Sequence, residues 1–422
     1  MQKNANMPSV RFKDFTGAWE SRKFSDLVKT RRGLTYSTSD VAESGIRVLR
    51  SSNINEDEFE LRSDDVFVRK SSVNIPCVRE NDILITSANG SSRLVGKHAL
   101  ISDIPENTTV HGGFMLLGTA KQPFFINASM SSQWYKKFID ISVSGGNGAI
   151  GNLNKTELDS QHIFVASQEE QQKIGAFFHR LDALIALHRR KLEKLRTIKK
   201  AFLEKMFPKD GAHVPEVRFA GFAEDWESLK FDKTFDVTVP SNTFSRAKLN
   251  YERGEVKSVH YGDILIKYGA SIDVNADEIP YINDCLLIQY KENLLHEGDI
   301  IFADTAEDET AGKAAEIVNL RGYSVVAGLH TIVCRPLEKK ARYYLGYYLN
   351  SNSFRHQLIP LLQGIKVLSI SRSNLLKTEI MYPVSSDEQA KIGAFFHRLD
   401  ALIALHRRKL EKLRTIKKAF LE

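Results

Sequence analysis

Lys173–Glu204 reads KIGAFFHRLDALIALHRRKLEKLRTIKKAFLE, and Lys391–Glu422 repeats those 32 residues without a difference. A repeat placed at the middle and the end divides the 422-residue chain into two halves of one design. A weaker echo opens each half: in Pro8–Phe24 and Pro215–Phe231, ten of seventeen positions agree, among them Val-Arg-Phe and Trp-Glu-Ser. The boundaries are kept while the middles differ.

The repeat has the marks of one long helix. Carboxylates at Glu169 and Glu170 precede a lysine-rich end at Lys199, Lys200 and Lys205, which complements the helix dipole. Ser167 occupies an N-cap position with Glu170 at capping-box spacing, and Pro208 and Gly211 follow the end. Leu181, Leu184, His188, Lys191, Leu195, Ile198 and Phe202 recur at 3–4 spacing, as do Leu399, Leu402, His406, Lys409, Leu413, Ile416 and Phe420. This predicts a heptad seam, widened by Ile185 and Leu192, in which the two copies pair with each other. About 32 residues at about 1.5 Å each make a rod of about 48 Å.

Composition narrows the function. Hydrophobic residues make up 42% and charged residues 26%, a folded rather than disordered chain. Met1–Met7 is polar and no run reaches membrane-spanning length, so a cytoplasmic location is expected. Cys77, Cys285 and Cys334 are far apart, and neither they nor the histidines have metal-ligand spacing; reduced thiols and no metal are expected. The net charge is +7, but each repeat holds nine Lys or Arg against three acids, so two copies supply +12 and the remainder is −5. The cationic character sits on the helices, unlike that of a non-specific DNA binder, whose affinity comes from phosphate neutralisation.

The middles read as mixed strands, turns and short helices. Glu80–Ser87 resembles Glu297–Asp304, each a turn before a buried strand, and Gly262–Ile266 reads as a strand of the same kind. Trp134–Phe138 and Tyr343–Tyr348 read as aromatic helices behind those strands. Gly145–Gly148 and Leu362–Lys366 are turn-rich loops. Gly90–His98 has the wrong spacing for a phosphate loop, and no dinucleotide fingerprint, Asn-Pro-Pro-aromatic run or Pro-Asp…Glu-x-Lys core appears. A single-chain methyltransferase or nuclease is disfavoured, and this chain is expected to be non-catalytic.

The Glu-Gln-x-x-Ile-Gly…Leu-Asp segments Glu170–Asp182 and Glu388–Asp400, the Gly-Asp-Ile type segments at Asp82–Ile85, Gly262–Ile266 and Gly298–Ile301, and the two-copy arrangement together resemble the specificity subunits of type I restriction-modification systems. The resemblance covers Pro8 to Glu422. It implies a mixed α/β (α+β) fold of two target-recognition domains, 8–166 and 215–384, and two antiparallel spacer helices, 167–207 and 385–422, with pseudo-twofold symmetry. It further implies double-stranded DNA, two methyltransferase subunits and restriction subunits as partners. S-adenosylmethionine, ATP and magnesium would belong to those partners, with no cofactor on this chain. A few terminal residues beyond Glu422 are allowed for, since the first copy runs on into Lys205-Met206-Phe207.

Base reading calls for side chains that hydrogen-bond base edges. The candidates in the first half are Arg31, Arg32, Thr35, Tyr36, Ser37, Ser87, Asn89, Ser91, Ser92 and Arg93. In the second half they are Ser241, Asn242, Thr243, Arg246, Lys267, Tyr268, Ser371 and Arg372. The acidic run Asp304–Glu309 is expected to face solvent, and the isolated chain to bind DNA weakly. The alternative reading is a coiled-coil scaffold holding protein partners on two variable domains.

Overall fold

Ile83-Leu84-Ile85-Thr86 alternates its side chains between two apolar surroundings, which marks a strand covered on both faces. Ile83 and Ile85 pack with Phe24, Leu116, Phe125 and Phe138, while Leu84 packs with Leu49, Ala99 and Leu117. The computed structural model in which this is seen describes residues 8, 10–143, 151–209 and 211–422; the Gly145–Gly148 loop lies outside them. The strands β1 (Val28–Arg32), β2 (Ile83–Thr86), β3 (His98–Leu100) and β4 (Met115–Ala120) form an antiparallel sheet in the order β3-β2-β4-β1. Helices Pro123–Met130 and Gln133–Ser142 cover one face. A second four-stranded sheet contains the parallel pair Ile46–Leu49 and Thr109–His111.

The second half repeats this plan. β5 (Phe235–Asp236), β6 (Ser271–Asp273), β7 (Ile300–Ala303), β8 (Ala314–Val318) and β9 (Thr331–Pro336) are ordered β5-β9-β7-β8-β6. Here β7 is the counterpart of β2, and β6 is an added edge strand parallel to β8. Ile300 and Phe302 face an aromatic core with Tyr344, Tyr348 and Phe354; Ile301 and Ala303 face the opposite cluster. The mixed α/β fold and the aromatic helices, Gln133–Ser142 and Tyr344–Tyr348, are as expected.

Gly262–Ile266 is not a strand. It lies in the helix Tyr261–Ile266, which His260 caps by accepting from the Gly262 amide at 3.2 Å, while Asp263 is held by Arg246 at 3.0 Å. The cap and the ion pair that holds the buried Asp263 favour a helical turn over a local preference for strand.

Contacts divide the chain into two units. One holds the described residues up to Arg190 together with His406–Glu422, and the other holds Lys191–Leu405. The division cuts both long helices, Gln168–Lys205 and Ser386–Leu421. Within the first unit, Phe177 meets Phe420, Asp182 meets Lys417 at 2.8 Å and His188 meets His406, so the helices run antiparallel. The second unit repeats two of these pairs with the roles exchanged: Phe202 meets Phe395, and Lys199 meets Asp400 at 2.5 Å. His188 and His406 share an Nδ1–Nδ1 contact of 2.9 Å, in which one ring donates and the other accepts.

The seam departs from the expected phase. Among apolar side chains, Phe178, Leu181, Ile185 and Leu192 are buried in the first helix, and Ile392, Phe396, Leu399 and Leu410 in the second. Leu195, Ile198 and Phe202 pack against the second unit's core, and Leu413 and Ile416 are half-buried. Leu184 and Leu402 are instead 45% and 43% exposed, Phe420 is 46% exposed, and Lys191 and Lys409 lie on the surface. Both phases have the same 3.5-residue period; the observed one buries Ile185 and Leu192 rather than an ammonium group, whose desolvation is costly.

Each long helix is fastened to its domain by the same two devices. Arg11 donates two hydrogen bonds of 2.7 Å to Glu170, and Arg218 grips Glu388 at 2.6 and 2.8 Å. Both carboxylates are fully buried. Glu170 therefore serves Arg11, not a capping box, although the Ser167 hydroxyl does accept from its amide at 3.4 Å. Glycines then bring helix and domain together: a Cβ on Gly175 would lie 2.7 Å from the Phe125 amide, and one on Gly393 2.4 Å from the Arg342 carbonyl.

Candidate nucleic-acid interface

In the first unit the turn Gly112–Met115, which leads into β4, gathers two of the expected loops. Gly113 backs onto Thr35, and the Phe114 carbonyl accepts from the amides of Ser87 and Ala88 at 2.9 and 3.1 Å. The Phe114 ring is 70% exposed. Arg32, paired with Leu116 just past this turn, Thr35, and Ser91, Ser92 and Arg93, which follow Ser87 and Ala88 in the chain, are also exposed. Thr, Ser and Arg present the donors and acceptors that base edges and phosphates require, and an exposed ring can stack on or wedge against a base.

Other candidates of this half serve the fold. Arg31 donates to the carbonyls of Pro76 and Cys77 at 2.7 and 2.9 Å, and burial lowers its pKa. Ser87 is buried, Tyr36 packs against an apolar cluster, and Ser37 caps a short turn through Asp40. Asn89 donates to Ser51 at 2.9 Å and pairs in a short ribbon with Gly151. Hydrogen bonds from Ser37 and Ser72 pull Asp40 down to about 2.

The second unit has a similar surface at the matching turn, Gly328–Thr331. The His330 carbonyl accepts from the Asp304 amide at 3.1 Å, and its exposed ring stands edge-on to Tyr261. Ile370 donates to the Asp304 carbonyl at 2.8 Å, which brings Ser371 and Arg372 alongside; Asn242 reaches Ala327 from the other side. Thr243 and Arg372 are exposed and Ser241 is half-buried, whereas Asn242 is buried with its amide donating to Ser258 and Ala327. Arg246 is paired with Asp263, and Ser371 caps a helix by accepting from Asn374. Tyr268 is buried with its hydroxyl on the Glu278 carbonyl, and Lys267 is tied to the same residue. Glu307, Asp308 and Glu309 face solvent as expected, but Asp304 is half-buried beneath His330.

Phe114, His330 and Ile365, which is 99% exposed, were not apparent from the sequence. A Gly-Gly-Phe turn between two strands was the signal available for the first. Among the described residues no group of His, Cys, Asp or Glu could hold a metal, no helix is long and apolar enough to cross a membrane, and Cys77, Cys285 and Cys334 are unpaired.

The profile of the type I restriction modification DNA specificity domain matches residues 17–197 and again 225–415. The type I restriction enzyme MjaVIII specificity subunit of Methanocaldococcus jannaschii is 24% identical over 357 residues, covering 81% of this chain and 77% of the relative. The putative MjaX specificity subunit of the same organism is 22% identical over 434 residues, covering 99% and 95%. The crystal structure of a type I restriction-modification S subunit from M. genitalium aligns with a TM-score of 0.61 at 14% identity, over 98% of this chain and 97% of that one. With two specificity domains spanning most of its length, each built on the same sheet plan and each fastened to a repeated long helix, the chain belongs to the type I restriction-modification DNA specificity family.

Proposed function

We propose that this chain is the non-catalytic, cytoplasmic subunit that reads a bipartite DNA sequence for a type I restriction-modification complex. The observation that carries this is the repetition, in each unit, of one exposed turn ringed by loops whose residues differ: Thr35, Ser91, Arg93 and Phe114 in one, Thr243, Arg372 and His330 in the other. Two readers of one architecture but different chemistry suit two different half-sites. The identical long helices suit two copies of one partner, taken here as methyltransferase subunits with restriction subunits beyond them. Leu184 and Leu187 stand on the outer face of the first helix, and Leu402 and Leu405 on that of the second, as matching exposed apolar patches. S-adenosylmethionine, ATP and magnesium are assigned to those partners.

The test is selection of bound duplexes from a random library by the chain reconstituted with its methyltransferase. A split motif is expected, with Phe114→Ala relaxing one half and His330→Ala the other. Recovery of no motif, with the complex intact, would favour the protein scaffold.

A further inference from the structure

The end of the second long helix overlooks a cavity of about 560 Å³ inside the first unit. Trp19, Phe125, Ser129, Phe178 and Phe420 contribute to its wall. The corresponding place in the second unit is filled. There the first long helix is followed by Met206 and Phe207, both buried, and the Lys205 carbonyl accepts from the Val217 amide at 2.9 Å. The Phe207 ring lies 6.3 Å from Trp226, 6.1 Å from Tyr344, 5.8 Å from Tyr348 and 5.8 Å from Phe396.

The internal repeat carries each of those four neighbours onto the cavity. Trp226 corresponds to Trp19 through the opening echo, and Phe396 to Phe178 through the long repeat. The stacked pairs Tyr343–His397 and Phe124–His179 set the register of the intervening helix, so Tyr344 corresponds to Phe125 and Tyr348 to Ser129. All four counterparts line the cavity. The smaller Ser129 in place of Tyr348 leaves extra room. Residues that would be covered are open: Val10 is 58% exposed, whereas its counterpart Val217 packs against the second core.

We propose that the cavity is a binding site for a Met-Phe hook entering in line with the second long helix, with Phe seated among Trp19, Phe125 and Phe178 and the preceding carbonyl accepting from the Val10 amide. An apolar, aromatic-walled cleft with a backbone donor at its mouth takes such a segment by burial and one directional bond.

The experiment appends Lys-Met-Phe-Pro after Glu422 and, as control, Lys-Ser-Ser-Pro, and follows amide hydrogen exchange and thermal unfolding of both full chains. The Met-Phe tail is expected to slow exchange in Val10–Trp19 and Phe420–Glu422 about tenfold, to leave Val217–Trp226 unchanged, and to raise Tm by about 4 °C. Equal exchange with either tail would overturn the proposal. So would protection of Val10–Trp19 in the untailed chain that disappears when Met1–Met7 are removed, or protection that appears only when the methyltransferase is added.

Discussion

Glu316 is buried on β8, where it accepts from the amides of Tyr343 at 2.7 Å and Gly346 at 3.2 Å. Burial pushes its pKa up to about 7 in spite of those two donors. A folded-state pKa above the unfolded value means that the native state binds the extra proton. Its contribution is therefore complete below about pH 4.5 and is lost as pH rises through 7, on the order of 3 kcal/mol in all. Thermal unfolding from pH 5 to 8 is expected to show this decline, and Glu316→Gln to flatten it; parallel slopes in the two proteins would refute the assignment. The Arg218–Glu388 pair makes a different prediction. Arg218→Met leaves a buried carboxylate without its partner and is expected to cost about 3 kcal/mol by denaturant unfolding. A loss within about 0.5 kcal/mol would show that the pair does not hold the helix to its domain.

At the level of elements, the long helices separate two roles on one surface. Ile185 is buried in the seam, so Ile185→Asp is expected to destabilise the chain by several kcal/mol. Leu184→Asp with Leu402→Asp is expected to leave unfolding unchanged and to abolish co-purification of the methyltransferase. Retained co-purification would remove the leucine patches from the docking surface. The helices, their identity and the β2 and β7 strands were legible in the sequence because period and apolar runs are local properties. The phase of the seam was not, since His188 and Leu195 fit either 3.5-residue series and only desolvation of Lys191 separates them. Base-facing residues were the least legible. Asn242, Arg246 and Tyr268 have the chemistry of readers, yet their side chains are held by Ala327, Asp263 and Glu278, and which residue meets which is set by the folded loops, across 85 positions of sequence in the first case. The Arg11–Glu170 clasp escaped notice for the same reason, although both partners lie inside repeated motifs.

For the whole molecule, charge distribution governs DNA affinity. Outside the repeats the chain sums to −5, and the first unit sets Glu56 and Asp57 against Arg189, Arg414 and Lys417 of the helices. Part of the helical charge is thus neutralised internally. The chain alone is expected to bind duplex DNA no more tightly than about 10⁻⁶ M at physiological salt, and the methyltransferase complex far more tightly. Titration of both against one labelled duplex checks this, and tight sequence-specific binding by the chain alone would contradict it. The central claim is that the chain confers a split recognition sequence on a methyltransferase that lacks one. Single-molecule sequencing of DNA methylation in cells expressing the methyltransferase with and without this chain tests it most directly. A new two-part motif that appears only with the chain is the predicted result; unchanged methylation, with both proteins expressed and folded, would contradict it.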